Sequence, residues 1–464
     1  MDAPWSGDAV SLVEAFRAGE RSPLEELDAT LSAIEASGLN AFSHVDPERA
    51  RKAAADADVA APFGGVPIGV KELGNVEGWP ATHASVALAD QVADHTDTHV
   101  QRLEAAGSVL VGLTTSSEFG GVNQTRTKLN GATRNPWDLD RTPGGSSGGT
   151  AAAVAAGIVT LGTAGDGGGS IRIPAGFCGM VGLKCTWGRI PRGPRVGPGN
   201  LTAVPGCVSR SVRDTARWFD VVNGFDPRDP LSLPRVEGWE AGLGSLLPEL
   251  AGRRAAIVVD IGQAVVAPEV VEIVTAAAEA LIADVGLRRV DVSVRLPRTG
   301  GAWGVTGSVW VAEELGDRWP ACADDLTPAM RRAVEGAYEH FDARAAIQAE
   351  RRRIELNEAM ADLFAQADVV LAATNPDVAF AADARPPTTF GGLEAPPINH
   401  GALTIPSNIY GNPAISIPVG QASDGLPVGL QVLAPHHHEQ VLLDLALAVE
   451  RERPWPLVAP GAPH

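Results

Sequence analysis

"NPWDLDRTPGGSSGGTAAAVAAG", residues 135–157, carries at its centre, from Gly144 to Gly149, four glycines and two serines in a row. Six such positions bury almost nothing, so their use is geometric: small residues let backbone segments approach closely and leave room beside them. "TAAAVAAG" follows at once with a strong small-residue helix pattern. A second cluster, "GDGGGSIRIPAG" at residues 165–176, lies just beyond and is restrained by Pro174. Two glycine loops set between ordered elements predict fixed shapes rather than flexible linkers, and function is expected there.

The pattern around these loops alternates. "GVPIGVKEL" (residues 65–73) is short, apolar and β-branched, as suits a buried strand. "THVQRLEAAG" then "SVLVGLTT" reads as helix then strand, and "TAAAVAAGIVTLGTAG" repeats that order. Residues 255–294 do so again, with "AAIVVD", a helix through 270–283, and "RRVDVSV". Residues 9–58 read as helical, with Pro23 opening a helix after Ser22, and a polar helical stretch spans 328–366. "DVVLAAT" returns to strand character, two strands follow in "GNPAISIPVG" and "GLPVGLQVLA", and a last helix covers about 439–450. Such alternation predicts an α/β protein with a central sheet covered by helices on both faces. With no repeat or low-complexity linker, a single large domain over 1–464 is expected.

Composition narrows the function. In 464 residues, 37 Lys plus Arg stand against 56 Asp plus Glu, a net charge of −19 that repels phosphate backbones and anionic lipid surfaces. No nucleic-acid or membrane partner is expected. Cys178, Cys185, Cys207 and Cys322 form no CxxC pair, which points to reduced thiols rather than disulfides or structural zinc. The chain starts with neither a basic segment nor an apolar h-region, and no window reaches the roughly 18 apolar residues of a membrane span. A soluble cytoplasmic protein is expected.

Glycine clusters cradle phosphates in some proteins, but no GK[ST] occurs here and "GDGGGS" is not G-x-G-x-x-G. A held glycine loop with inward backbone N–H groups suits an oxyanion instead, and a serine within it suits a nucleophile. None of the ten histidines lies near either loop. Lysine is the other activator of serine when burial keeps it neutral, and Lys71, at the end of an apolar strand, is the candidate. His95, Asp97 and His99 have a zinc-like spacing, and His436–His438 could also bind metal, but "DHTDTH" reads as a polar helix start and neither group has a further ligand nearby, so no metal is expected. Trp303 and Trp310 in "GAWGVTGSVW" either line a pocket or belong to the core.

Together "GVPIGVKEL", the two glycine-serine motifs, "GLKCTWGRIPRGP", "SRSVRD" and "GNPAISIPVGQASDGLPVGLQVLA" resemble the amidase signature family. The likeness runs from the N-terminal helices to about residue 450, with a poorly matching segment at 238–364 that is expected to vary on the substrate side. The resemblance implies the amidase signature fold with a mixed sheet. It also implies a Ser-Ser-Lys triad of Lys71, Ser146 and Ser170, with a cis peptide between Gly145 and Ser146.

On that template Ser170 attacks a carbonyl, its proton passes through Ser146 to neutral Lys71, and an acyl-enzyme forms that water then releases. The N–H groups of Gly167, Gly168, Gly169 and Ser170 would form the oxyanion hole. Ser147 is expected to support by hydrogen bonding, and Asp166 and Arg172 to brace the loop. Family members usually carry threonine or serine where Gly165 stands, often threonine at Gly167, and commonly proline at Cys185. The implied activity is hydrolysis of an amide or related acyl-nitrogen bond, aliphatic or aryl amide, carbamate or hydrazide, in a small molecule. No cofactor is needed, and a homodimer is an allowed state. The alternatives are the glutaminase subunit of a tRNA-dependent amidotransferase, disfavoured by the net charge and the lack of a serine-rich run after "GLKCTWGR", and a non-catalytic scaffold.

Overall fold

The computed structural model describes residues 3–196, 201–298 and 300–462. The eleven strands of its main sheet are β1 (Phe42–Val45), β2 (Pro67–Lys71), β3 (Val109–Thr114), β4 (Leu161–Asp166), β5 (Val181–Lys184), β6 (Val204–Ser209), β7 (Arg254–Ile257), β8 (Arg288–Arg289), β9 (Val369–Ala373), β10 (Ala414–Gln421) and β11 (Pro427–Leu433). In space the order is β1-β3-β2-β4-β6-β5-β10-β11-β9-β7-β8. β2 runs parallel to β3 and β4, β7 runs parallel to β8 and β9, and the strands between pair antiparallel, so the sheet is mixed.

Helices cover both faces. Neighbouring strand residues point to opposite sides, and in β6 Cys207 packs into one apolar cluster while Val208 packs into another. The larger cluster gathers side chains of α1 (Ala9–Ala18), α3 (Thr98–Ala105), α6 (Val212–Val222), α7 (Pro268–Val285) and α11 (Glu439–Glu452). The second takes α2 (Pro23–Ala36), α4 (Gly148–Ala155) and α5 (Arg172–Cys178). A third, smaller cluster is built from α8 (Gly300–Leu315) and α9 (Pro328–His340), with α10 (Ala343–Gln366) beside them. Pro23 does open α2, and the Ser22–Glu25 capping box fixes that helix start.

Local readings differ from the structure in four places. The helical 9–58 stretch is interrupted by β1, which pairs antiparallel to β3 at the sheet edge. "RRVDVSV" contributes only Arg288–Arg289, which pair in parallel with Arg254 and Ala255 of β7, its one neighbour at the sheet edge. The 328–366 stretch is two helices: Phe341 is extended, and the Asp342 side chain caps α10 by accepting from the Ala345 N–H at 2.8 Å. Finally, α8 gave no helical signal because Gly300, Gly301, Gly304 and Gly307 depress its propensity.

Candidate active site

Every residue of β2 is buried, and its last, Lys71, is 5% exposed. The Lys71 N–H donates to Thr163 Oγ1 of β4 at 2.9 Å, which fixes where the side chain leaves the sheet. Lys71 Nζ lies 2.7 Å from Ser146 Oγ, 2.9 Å from Ser147 Oγ and 3.4 Å from the Gly165 carbonyl. Burial pushes the amine down to about 7, against the opposing pull of Asp166 and Glu72. Neighbouring Glu72 is pushed up to about 7 by its own burial, partly offset by hydrogen bonds from the Ser116 N–H and Asn130. Both charges are thus easily lost near neutral pH.

The first glycine loop delivers Ser146 and Ser147 to that amine. Gly144 sits at φ +84°, in the left-handed region, and the Gly145–Ser146 peptide is cis. A Cβ on Gly145 would come within 2.7 Å of the Gln124 N and 2.8 Å of the Val122 carbonyl. One on Gly149 would lie 2.4 Å from the Thr115 N and 2.6 Å from the Ala41 carbonyl. The small residues are therefore needed: α4 seats against the strand ends, and its buried run Ala151–Ala156 closes the gap.

The second loop leaves β4 at Asp166. Asp166 and Arg172 are both fully buried and joined at 3.0 Å through Nε and Oδ2. Burial raises this carboxyl, yet Arg172 and Asn408 outweigh it and hold Asp166 well below the usual carboxylate range. Asp166 Oδ1 accepts the Gly169 N–H at 2.7 Å, and Oδ2 accepts the Ile171 N–H at 3.2 Å. Gly169, at φ +122°, packs too closely on Thr404 and Ile173 for any side chain. With the Gly169 N–H engaged by Asp166, the amides of Gly167, Gly168 and Ser170 are left without an acceptor among the described residues.

Two tethers that sequence reading missed come from far along the chain. Trp303 Nε1 donates to the Gly167 carbonyl at 2.7 Å, and Thr404 Oγ1 donates to the Gly168 carbonyl at 2.7 Å. Asn408 and Gln431 complete the setting of Arg172, both accepting from it at 2.7 Å. Separations of 136 to 259 residues leave no spacing signal that could have announced them.

Lys71, Ser146, Gly167 and the half-buried Ser170 line one cavity of about 580 Å³. Trp303 and Trp310 line it too, as do Asp97 and His99 from the start of α3. Burial depresses His99, whose Nδ1 has no partner among the described residues. His95 sits 3.7 Å from Asp97 and 2.8 Å from Asp94, while His436 bonds the Tyr410 carbonyl, so neither histidine group is gathered around a common point.

The amidase family profile matches residues 25–443. The chain belongs to the amidase signature family. Among curated relatives, a glutamyl-tRNA(Gln) amidotransferase subunit of Salinispora tropica is 34% identical over 486 residues, covering 96% of this chain and 97% of that protein. The 6-aminohexanoate-cyclic-dimer hydrolase of Paenarthrobacter ureafaciens is 33% identical over 499 residues, covering 97% and 95%. Among solved structures, a bacterial aryl acylamidase of the amidase signature family superposes with a TM-score of 0.89 at 28% identity, over 97% of each chain. As an amidase signature protein the chain is a hydrolase of carbon–nitrogen bonds, with the single α/β fold read from its sequence. No described helix is long and apolar enough to cross a membrane.

Proposed function

We propose that this amidase hydrolyses a small-molecule amide or related acyl-nitrogen compound through a Ser170–Ser146–Lys71 relay and a covalent acyl-enzyme. The observation that carries the reading is the 2.7 Å approach of a buried, largely desolvated Lys71 amine to Ser146, in a cavity that Ser170 shares. At about 7, a large fraction of that amine is neutral at physiological pH and free to accept a proton.

Ser170 Oγ attacks the carbonyl carbon as its proton passes to Ser146 and the Ser146 proton passes to Lys71. The N–H groups of Gly167, Gly168 and Ser170 receive the oxyanion, with Gly169 acting structurally through Asp166 rather than as a donor. As the C–N bond breaks, the leaving nitrogen takes a proton back through Ser146. Water then repeats the sequence on the ester. Ser147 holds the amine in line, and segment 238–364 supplies the substrate-side wall through Trp303, Trp310 and Met330. No step calls for a metal or cofactor.

Loss of hydrolysis in Ser170→Ala and Lys71→Ala with unchanged circular dichroism is the expected outcome, together with fluorophosphonate labelling of Ser170. Wild-type turnover in either variant refutes the relay. Absence of labelling in folded protein favours the scaffold alternative.

A second reading has a specific observation behind it, the match to glutamyl-tRNA(Gln) amidotransferase subunits over nearly the whole chain. The acidic charge of −19 opposes a tRNA-bound assembly, and a stand-alone cytoplasmic enzyme is the reading preferred here. Purification from its native cell separates the two. Glutaminase activity with a co-purifying partner supports the amidotransferase reading, whereas amidase activity in a free chain or homodimer supports the hydrolase.

A further inference from the structure

We infer that the cavity is shaped for amides bearing a planar aromatic substituent, held in a slot along α8 between Trp303 and Trp310; the inference rests on the active-site reading above. α8 turns Trp303, Gly304, Gly307, Ser308, Trp310 and Val311 into the cavity, one helical face by their three- and four-residue spacing. The two indoles are two turns apart, a rise of about 10 Å. Between them stand Gly304 and Gly307, and a Cβ built on either would find no atom within 4 Å. The glycines therefore hold open space rather than permit close packing, unlike those of the catalytic loops.

Both walls are anchored before anything binds. The indole of Trp303 is fixed by its bond to the Gly167 carbonyl, and its six-membered ring lies directly against Gly168, where a Cβ would come within 2.7 Å. A substituent on the reacting group thus runs along this indole as it leaves the glycine loop. Trp310 packs edge-on against His83 at 5.6 Å and Phe119 at 6.2 Å between ring centroids. Both indoles are only half-buried, so ring surface faces the cavity. Met330 adds a polarisable thioether to the lining. Fixed aromatic walls favour a flat ring over a puckered one of equal size, because offset and edge contacts add to simple area burial.

The test uses full-length Ser170→Ala, so that binding is read without turnover. Calorimetry compares phenylacetamide with cyclohexylacetamide, and acetanilide with N-cyclohexylacetamide. The phenyl member is expected to bind about fivefold tighter in at least one series, and adding Gly307→Leu, which fills the slot and favours the helix, removes that preference. Equal or undetectable binding within both pairs overturns the proposal, as does a preference that Gly307→Leu leaves intact. Turnover of the same amides by the wild-type chain and its loss in Ser170→Ala is scored separately, so a failed relay and a failed slot give different results.

Discussion

Trp303 holds the Gly167 carbonyl at 2.7 Å across 136 residues of chain, tying helix α8 to the second glycine loop. In a trans peptide the carbonyl and the following N–H point in opposite directions. Fixing the Gly167 oxygen on Trp303 therefore aims the Gly168 N–H to the other side of that peptide. Thr404 does the same one peptide later, where the Gly169 N–H goes to Asp166.

Trp303→Phe keeps an aromatic wall but loses the indole donor. Removal of a whole oxyanion donor costs about 10²–10³ in kcat, and loss of its orientation alone should cost less, about tenfold. KM should stay within about twofold, because the ground-state carbonyl uses these donors weakly. Steady-state kinetics on one amide checks this; a rise in KM with kcat unchanged would mean that Trp303 only binds.

In the proposed relay, titration of Lys71 sets the acid limb of the rate profile. The reacting form is neutral, and burial places the amine at about 7, so kcat/KM should rise with pH and reach half its plateau near there. Glu72 contributes negative charge that stabilises the ammonium. Glu72→Gln removes that charge and should move the limb to lower pH. Profiles from pH 5 to 9 on both proteins decide it, and a limb that moves upward contradicts the assignment.

The same depressed amine predicts a conflict between activity and stability. Between about pH 7 and 10.5 the unfolded chain binds a proton at Lys71 that the folded chain does not, so this group's contribution to stability rises with pH across that window. Below it the full cost of burying the amine remains. Lys71→Met should be inactive yet more stable than wild type by about 2 kcal/mol at pH 6.5, with the gain shrinking toward pH 10. Urea unfolding at pH 6.5 and 9.5 measures both values.

Much of this site was legible because its pieces are local. The two glycine loops and the strand ending in Lys71 are each contiguous, and apolar periodicity placed them between helices and strands. What stayed hidden depends on side chains that meet only in three dimensions. The Gly169 N–H looks like an oxyanion donor until Asp166 is seen to occupy it, and nothing near Arg172 names Gln431, 259 residues away, as its partner. α8 is illegible in the sequence because the glycines that open the cavity erase the helical pattern around them. Edge strand β1 merges into the helical pattern of the sequence because it is four residues long and a further helix starts at Pro47, directly after its Asp46 cap.

The Asp166–Arg172 pair should reveal how much the second glycine loop depends on distant elements. Arg172 spends its guanidinium on Asp166, Gln431, Asn408 and the Thr404 carbonyl, all fully enclosed. Arg172→Met strands a buried carboxylate, and breaking a buried pair on one side costs about 3–5 kcal/mol. Adding Asp166→Asn removes the stranded charge while its amide oxygen can still accept the Gly169 N–H, so the double variant should regain at least half of that loss. A denaturant series on the two single variants and the double gives the coupling energy directly. Additive losses would mean that the two side chains act independently, and that Asp166 shapes the loop through its backbone acceptors alone.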